Sequence, residues 1–311
     1  MFNSTPTRRF LLLIAAVSSL TLIACGGKSS TTSLKNQANS VTPALGANYN
    51  ADVYVYAADG ITLLGQGKTG GLSDANPGRS NITLSGYTAG TPVIVKVVLD
   101  PANNASYYDE NQPTLVSVKP SAKFTMLSIL PSATAGQDFS ANPLTNMAAK
   151  FAGISADNLG ATKLSTPLVA DKVYEGVAKT NLVLGLPTST NILASITPAT
   201  KDKPTPSGTL SNLLVVMATT PIDQQNSAGS PDPIQRALDL ANAIKSDGTI
   251  DASKSSVFTN LNTALLQDDN LGLSVVTPKT TNEDIQGALG AAKDAASKAI
   301  SSFTGSVTGG N

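Results

Sequence analysis

The sequence predicts an α+β protein in two parts, an antiparallel β-sandwich over residues 51–135 followed by an all-α helical domain over residues 137–303. Three observations predict it. Between Ala51 and Leu130 short β-rich runs alternate with turn residues, whereas past Gln137 the apolar period changes to that of a helix. The chain is also long enough, at 311 residues, for two ordinary domains that bury most of their apolar surface.

The strands come first. Ala51 to Tyr56 alternates sides at period two, Ala58-Asp59-Gly60 makes a turn, and Ile61 to Gln66 returns, which is a hairpin. Further strands are expected at Asn81 to Ser85, at Pro92 to Leu99, at Thr114 to Val118 and at Lys123 to Leu130. The run at 93–99 is nearly all apolar, as suits a strand covered on both faces.

Helices follow. Asn142-Pro143 sets a capping side chain before a proline at the first helical position, Leu144, Met147 and Phe151 share a face, and Gly153 ends the run. Thr166-Pro167 opens a second helix that stops at Gly185, and Ser207 precedes a third through Leu210, Leu213, Leu214 and Met217. Asp232-Pro233 starts Ile234, Leu238 and Ala241, while Ser255-Ser256 opens Val257, Leu261 and Leu265. In the last helix Thr280 and Glu283 fit a capping box, and Ile285, Leu289, Ala292, Ala296, Ile300 and Phe303 form the stripe of a core face. Residues 304–311 read as a frayed tail.

Ahead of the folded part stand Arg8 and Arg9, an apolar run from Phe10 to Ala24, and the lone cysteine of the chain, Cys25. That is the layout of an export signal over residues 1–24, and about 15 apolar residues are short of the roughly 20 that span a bilayer. Leu22-Ile23-Ala24-Cys25, followed by Gly26-Gly27, resembles the lipobox of bacterial lipoproteins. The resemblance implies a thiol alkylated with diacylglycerol, cleavage before Cys25 and an acylated new amine, hence a membrane partner reached through lipid on Cys25. With Gly26 after the cysteine in place of the aspartate that retains enteric relatives at the inner membrane, it implies a cell-envelope protein at the outer membrane. Residues 25–50, rich in Gly, Ser, Thr, Asn and Gln, are expected to be a solvated tether.

Val53-Tyr54-Val55-Tyr56, Ser73-Asp74-Ala75-Asn76-Pro77-Gly78 and the run Thr91 to Val98 resemble the carboxypeptidase-regulatory-type domain, a prealbumin-like β-sandwich of exported bacterial proteins. The segments Asn142 to Ala149, Tyr174 to Lys179 and Ser246 to Asp251 resemble helical regions that follow such sandwiches in bacterial lipoproteins. These resemblances imply architecture and no chemistry.

Composition closes off much chemistry. There is no histidine, so Ser-His-Asp, Cys-His and His-based zinc sites are excluded, and a lipidated Cys25 leaves no thiol for a disulfide or a metal. Removal of the leader takes Arg8 and Arg9 and no acid from an otherwise balanced chain, so no nucleic-acid partner is implied. No cofactor is implied either.

Gly67-Lys68-Thr69 echoes a phosphate loop, but Thr62 stands where that loop needs glycine. Asp247 to Asp251 imitates a calcium loop, yet Lys245 and Lys254 fall at ligand positions. Asp268-Asp269 is expected only to face water beyond the end of a helix. No serine stands three residues before a lysine and no Gly-x-Ser-x-Gly elbow occurs. The densest polar and aromatic patch is Tyr107-Tyr108-Asp109-Glu110, a candidate ligand site whose plainer reading is a solvated loop between two strands. These observations lead to an expectation of a lipid-anchored, non-enzymatic adhesion, scaffold or ligand-binding module with an envelope protein or glycan as partner. Its rivals are a glycan hydrolase that works through carboxylates alone and a subunit of an envelope assembly.

Overall fold

The computed structural model describes residues 33–34, 37–206, 208–219, 234, 240–269 and 271–304. The leader, Cys25, the first part of the expected tether, Ser207, most of the helix expected after Asp232-Pro233 and the tail from 305 lie outside the described residues.

The layout is α+β, with strands in the first half and helices in the second. A four-stranded antiparallel sheet has the order β10 (Phe124–Leu130), β8 (Val93–Leu99), β4 (Asp52–Ala57), β5 (Leu63–Lys68). A three-stranded sheet runs β11 (Asp138–Ala141), β2 (Gln37–Pro43), β6 (Ser80–Leu84), with β11 parallel and β6 antiparallel to β2. Two small antiparallel pairs complete the strands: β1 (Ser33–Leu34) with β7 (Tyr87–Thr88), and β3 (Asn48–Tyr49) with β9 (Ser106–Tyr107).

Period-two alternation sorts the four-stranded sheet into two faces. Val53, Val55, Val95, Val97 and Met126 point one way and share a buried cluster with Val41, Ile82, Leu84 and Phe139 of the other sheet. On the opposite face Tyr56, Ile94, Leu127 and Ile129 join a second cluster made mainly by helices. The apolar run of β8 therefore is covered on both sides, as its sequence requires. In β5, a Cβ on Gly65 would lie 2.7 Å from Ile82 Cγ2 and one on Gly67 2.6 Å from Ser80 Oγ, so only glycine lets β5 run this close to β6.

Helices α1 (Pro143–Phe151) and α2 (Ala170–Leu184) pack on β10 and on each other, and α5 (Asn282–Thr304) packs on α2. Between them in sequence come α3 (Thr209–Thr219) and α4 (Ser256–Leu266). The cap of α1 is as expected: Asn142 Oδ1 accepts the N–H groups of Leu144 and Thr145, and Thr145 Oγ1 answers the Asn142 N–H at 2.9 Å. Gly185, at φ +67°, ends α2.

Several boundaries differ from expectation, each for a physical reason. Gln37 to Pro43 is no tether but the middle strand of its sheet, where three of its polar side chains find partners: Asn39 Nδ2 donates to Thr134 O at 2.7 Å, and the hydroxyls of Ser40 and Thr42 donate to Asp138. The part expected to be all helix opens with strand β11, whose backbone completes that same sheet. Of Thr114 to Val118, only Val118 pairs, with Tyr107, while Leu115 and Val116 stay exposed. Helix α2 starts at Ala170 rather than at Pro167, since Val169 is extended at φ −115° and ψ 154°, behind Leu168, whose N–H donates to Ala58 O at 2.8 Å. The last helix is capped one residue later than expected, with Thr281 Oγ1 accepting from Asp284 N–H and donating to Asp284 Oδ2. Residues 31–311 cluster as one unit, with no separation near residue 136.

Candidate functional site

The outer face of the four-stranded sheet is covered by helices at one end only. Register places Asp52, Tyr54 and Tyr56 of β4 beside Val98, Lys96 and Ile94 of β8, and Thr125 of β10 lies beside Val98. The end that carries Asp52, Tyr54, Lys96, Val98 and Thr125 forms the floor of a groove of about 590 Å³. Asn103 and Lys123 border it at one side, and the loop after α1, from Ala156 to Ala161, forms the opposite wall.

Each wall is fixed by the fold. Asp100 caps the short 3-10 turn Pro101–Asn103 by accepting the Ala102 N–H, which sets Asn103 at the rim, where its Nδ2 donates to Asp52 Oδ2 at 3.1 Å. Lys96 reaches up from the floor and its Nζ donates to Ala156 O at 3.0 Å, pinning the loop. The same loop is tied to the β4–β5 turn, where Gly160 N–H donates to Gly60 O at 2.9 Å. A Cβ on Gly160 would come 2.7 Å from the Tyr56 hydroxyl, so the loop backbone lies directly against that ring's edge. Tyr54 and Tyr56 stack with centroids 6.4 Å apart and planes 22° from parallel, and Tyr54 is the half-exposed member.

Two of the four charges that line the groove are paired within the protein. Asp52 faces Lys68 at 3.7 Å as well as Asn103, and Lys123 faces Asp100 at 3.6 Å. Burial lowers the Lys96 pKa, with the Lys123 charge acting the same way and that of Asp157 opposing. Burial likewise raises the phenol pKa of Tyr56.

The segment expected to be a ligand loop is instead part of the core. Tyr107, Tyr108 and Asp109 are buried and Glu110 is half-buried. Tyr107 pairs with β3 and with Val118, and Asp109 accepts from Asn111 N–H and from Gln112 Nε2, both at 2.9 Å, which closes a turn. Burial, together with the charges of Glu110 and Asp109, pushes the Tyr108 phenol pKa up. Phenols so enclosed present no stacking face to a ligand from solution.

The other motifs also resolve into structure. Gly67 abuts β6, Lys68 faces Asp52, and Thr69 is buried with its Oγ1 accepting from Ala51 N–H at 2.8 Å. Asp247 accepts from the Thr249 N–H and hydroxyl, and Asp251 accepts from Ser253 and caps a 3-10 turn, so these carboxylates close turns. Asp268 O accepts the Leu271 N–H in the turn beyond α4. Among the described residues no group of three acidic or other ligating side chains is placed to hold a metal ion, and no helix is long and apolar enough to cross a membrane.

A signal for the groove does exist in the sequence. Asp52, Tyr54 and Tyr56 alternate with buried valines, and Lys96 interrupts an apolar strand; the Asp157 to Ala161 wall, sixty residues on, carries no local sign of joining them. No family model, curated protein or solved structure matches the chain.

Proposed function

We propose that this protein is a lipid-anchored, non-enzymatic binding module of the bacterial cell envelope, tethered at Cys25 and presenting the groove over β4, β8 and β10 to a ligand. The observation that carries binding over catalysis is that, of the two carboxylates lining the groove, Asp52 is already engaged by Lys68 and Asn103, which leaves Asp157 without the second working carboxylate that a hydrolase needs. A carboxylate hydrolase needs one acid held protonated by its surroundings. Outside the groove, Asp59, Glu175, Asp247 and Asp251 are shifted the other way, Asp59 and Glu175 by hydrogen bonds and nearby lysines that outweigh burial, and the other two chiefly by their turn hydrogen bonds.

The strand region is read as a prealbumin-like β-sandwich of the carboxypeptidase-regulatory type, on the motifs at Val53 to Tyr56 and Thr91 to Val98 and on the apolar cluster common to the two sheets. The anchor and the outer-membrane address rest on Leu22 to Gly27. Several apolar chains on one residue hold a protein on a bilayer durably, where one chain binds only marginally. Metabolic labelling with radioactive palmitate tests the proposal: the wild-type chain takes up label and sediments with membranes, and Cys25→Ser abolishes the label and keeps the leader uncleaved. An unlabelled wild-type protein in the soluble fraction overturns it.

A further inference from the structure

We propose that the groove binds an uncharged saccharide of one or two rings. This rests on the binding-module reading and adds the class of ligand.

A sugar ring has an apolar face of C–H bonds and a rim of hydroxyls, each both donor and acceptor. The floor matches that division, because Tyr54, half-buried and stacked on Tyr56, supplies an aromatic ring to the lining, while Asp52, Asn103, Thr125 and Asp157 supply donors and acceptors. Val98 and Leu159 provide the remaining apolar contact.

Charge decides against the competing ligand classes. Two acids, Asp52 and Asp157, and two bases, Lys96 and Lys123, line the groove, so its formal charge cancels. Lys123 already faces Asp100 at 3.6 Å and Lys96 spends one N–H on Ala156 O, so an anionic ligand would have to compete with Asp100 for the one lysine and meet the charge of Asp157 at the other. A wholly apolar ligand would take water from the Thr125 hydroxyl on the floor and give it no partner in exchange. The volume of about 590 Å³ is of the size that holds a small organic ligand. Rigidity adds to the case: the floor is three paired strands and the loop wall is fastened at Ala156 and Gly160, so little ordering entropy opposes binding.

The test is saturation-transfer NMR and calorimetric titration of the full-length protein in a polyoxyethylene detergent, which carries no sugar. The probes are cellobiose, maltose and N,N′-diacetylchitobiose, with glucose 6-phosphate as the charged control. At least one disaccharide is expected to saturate. Tyr54→Ala is expected to weaken it by roughly tenfold, as loss of one aromatic contact implies. Because Tyr54→Ala removes a sheet residue, Thr125→Val and Asp157→Asn serve as variants that disturb packing less, and each is expected to weaken binding with the unfolding midpoint unchanged. Absence of saturation by all three neutral sugars overturns the proposal, as does saturation that none of the three variants alters. Saturation by glucose 6-phosphate alone also overturns it while leaving the binding-module reading intact. Release of monosaccharides would instead overturn the non-enzymatic reading and keep the saccharide site.

Discussion

At the scale of single residues, the chain differs from its sequence reading mainly in where it spends polar side chains. Tyr107, Tyr108 and Asp109 look like a recognition patch because they are adjacent, yet adjacency in a chain says nothing about burial, and here all three face inward. Lys179 is a helix lysine that is buried, with Nζ 2.9 Å from Glu175 Oε1, 3.2 Å from Gly248 O and 6.0 Å from the centre of the Phe151 ring. Lys179→Met keeps the aliphatic stem and deletes the charge, leaving Glu175 with Lys172 alone; a loss of about 1–3 kcal/mol is expected in urea unfolding at neutral pH. Burial alone would raise the Glu175 pKa, but hydrogen bonds from Lys172 and Lys179 and their charges prevail and hold it below the ordinary 4.5. A carboxylate depressed on folding contributes stability that is complete above its unfolded pKa and disappears as pH falls through the folded value. Glu175→Gln is therefore expected to lower stability at pH 7 and to flatten the decline below about pH 4.5, read from urea midpoints across that range.

Among elements, those with local punctuation were legible and those defined by partners were not. Asn142-Pro143 announces α1, and Gly185 announces the end of α2, because caps and stops act within a turn of the chain. Strand β2 has no such mark: its Gln, Asn, Ser and Thr resemble linker composition, and only the flanking strands β6 and β11 make it a strand. The close crossing of α1 and α2 was equally hidden. A Cβ on Gly176 would sit 2.3 Å from Ala148 O, a backbone atom that cannot move aside alone, so Gly176→Ala is expected to cost about 1–3 kcal/mol despite its better helix propensity. If instead Gly176→Ala raises the thermal midpoint, the two helices are not in the contact described. At the start of α5, Thr281→Ala is expected to lower stability by about 1 kcal/mol and Thr280→Ala to leave it nearly unchanged, which separates the observed cap from the one the sequence suggested.

For the molecule as a whole, the question is whether strands and helices unfold together. The two-part expectation came from a change of period near residue 136, and period reports local geometry, not which surfaces are shared. Ile94, Leu127 and Ile129 of the sheet lie in one buried cluster with Leu144, Met147, Val173 and Val177 of α1 and α2, so the outer face of the sheet is apolar at the end that the helices cover. Separation would expose that face, at a cost of about 25 cal/mol for each Å² of apolar surface. Unfolding of the strand half and the helix half should therefore coincide. The chain supplies its own probes for this. It has no tryptophan, six of its seven tyrosines lie between Tyr49 and Tyr108, and the seventh is Tyr174 in α2, so tyrosine emission follows the strands while far-ultraviolet dichroism follows the helices. One shared urea midpoint is expected from the two signals, and midpoints that separate would restore two independent domains. The same reasoning fixes where the folded unit begins. A chain shortened to start at Ala51, the boundary the composition suggested, lacks β2 and leaves β6 and β11 without the strand that joins them, with Ile82, Leu84 and Phe139 deprived of Val41. Such a chain is expected to show no cooperative transition, whereas one that starts at Thr31 keeps β1 and β2 and unfolds like the full-length protein.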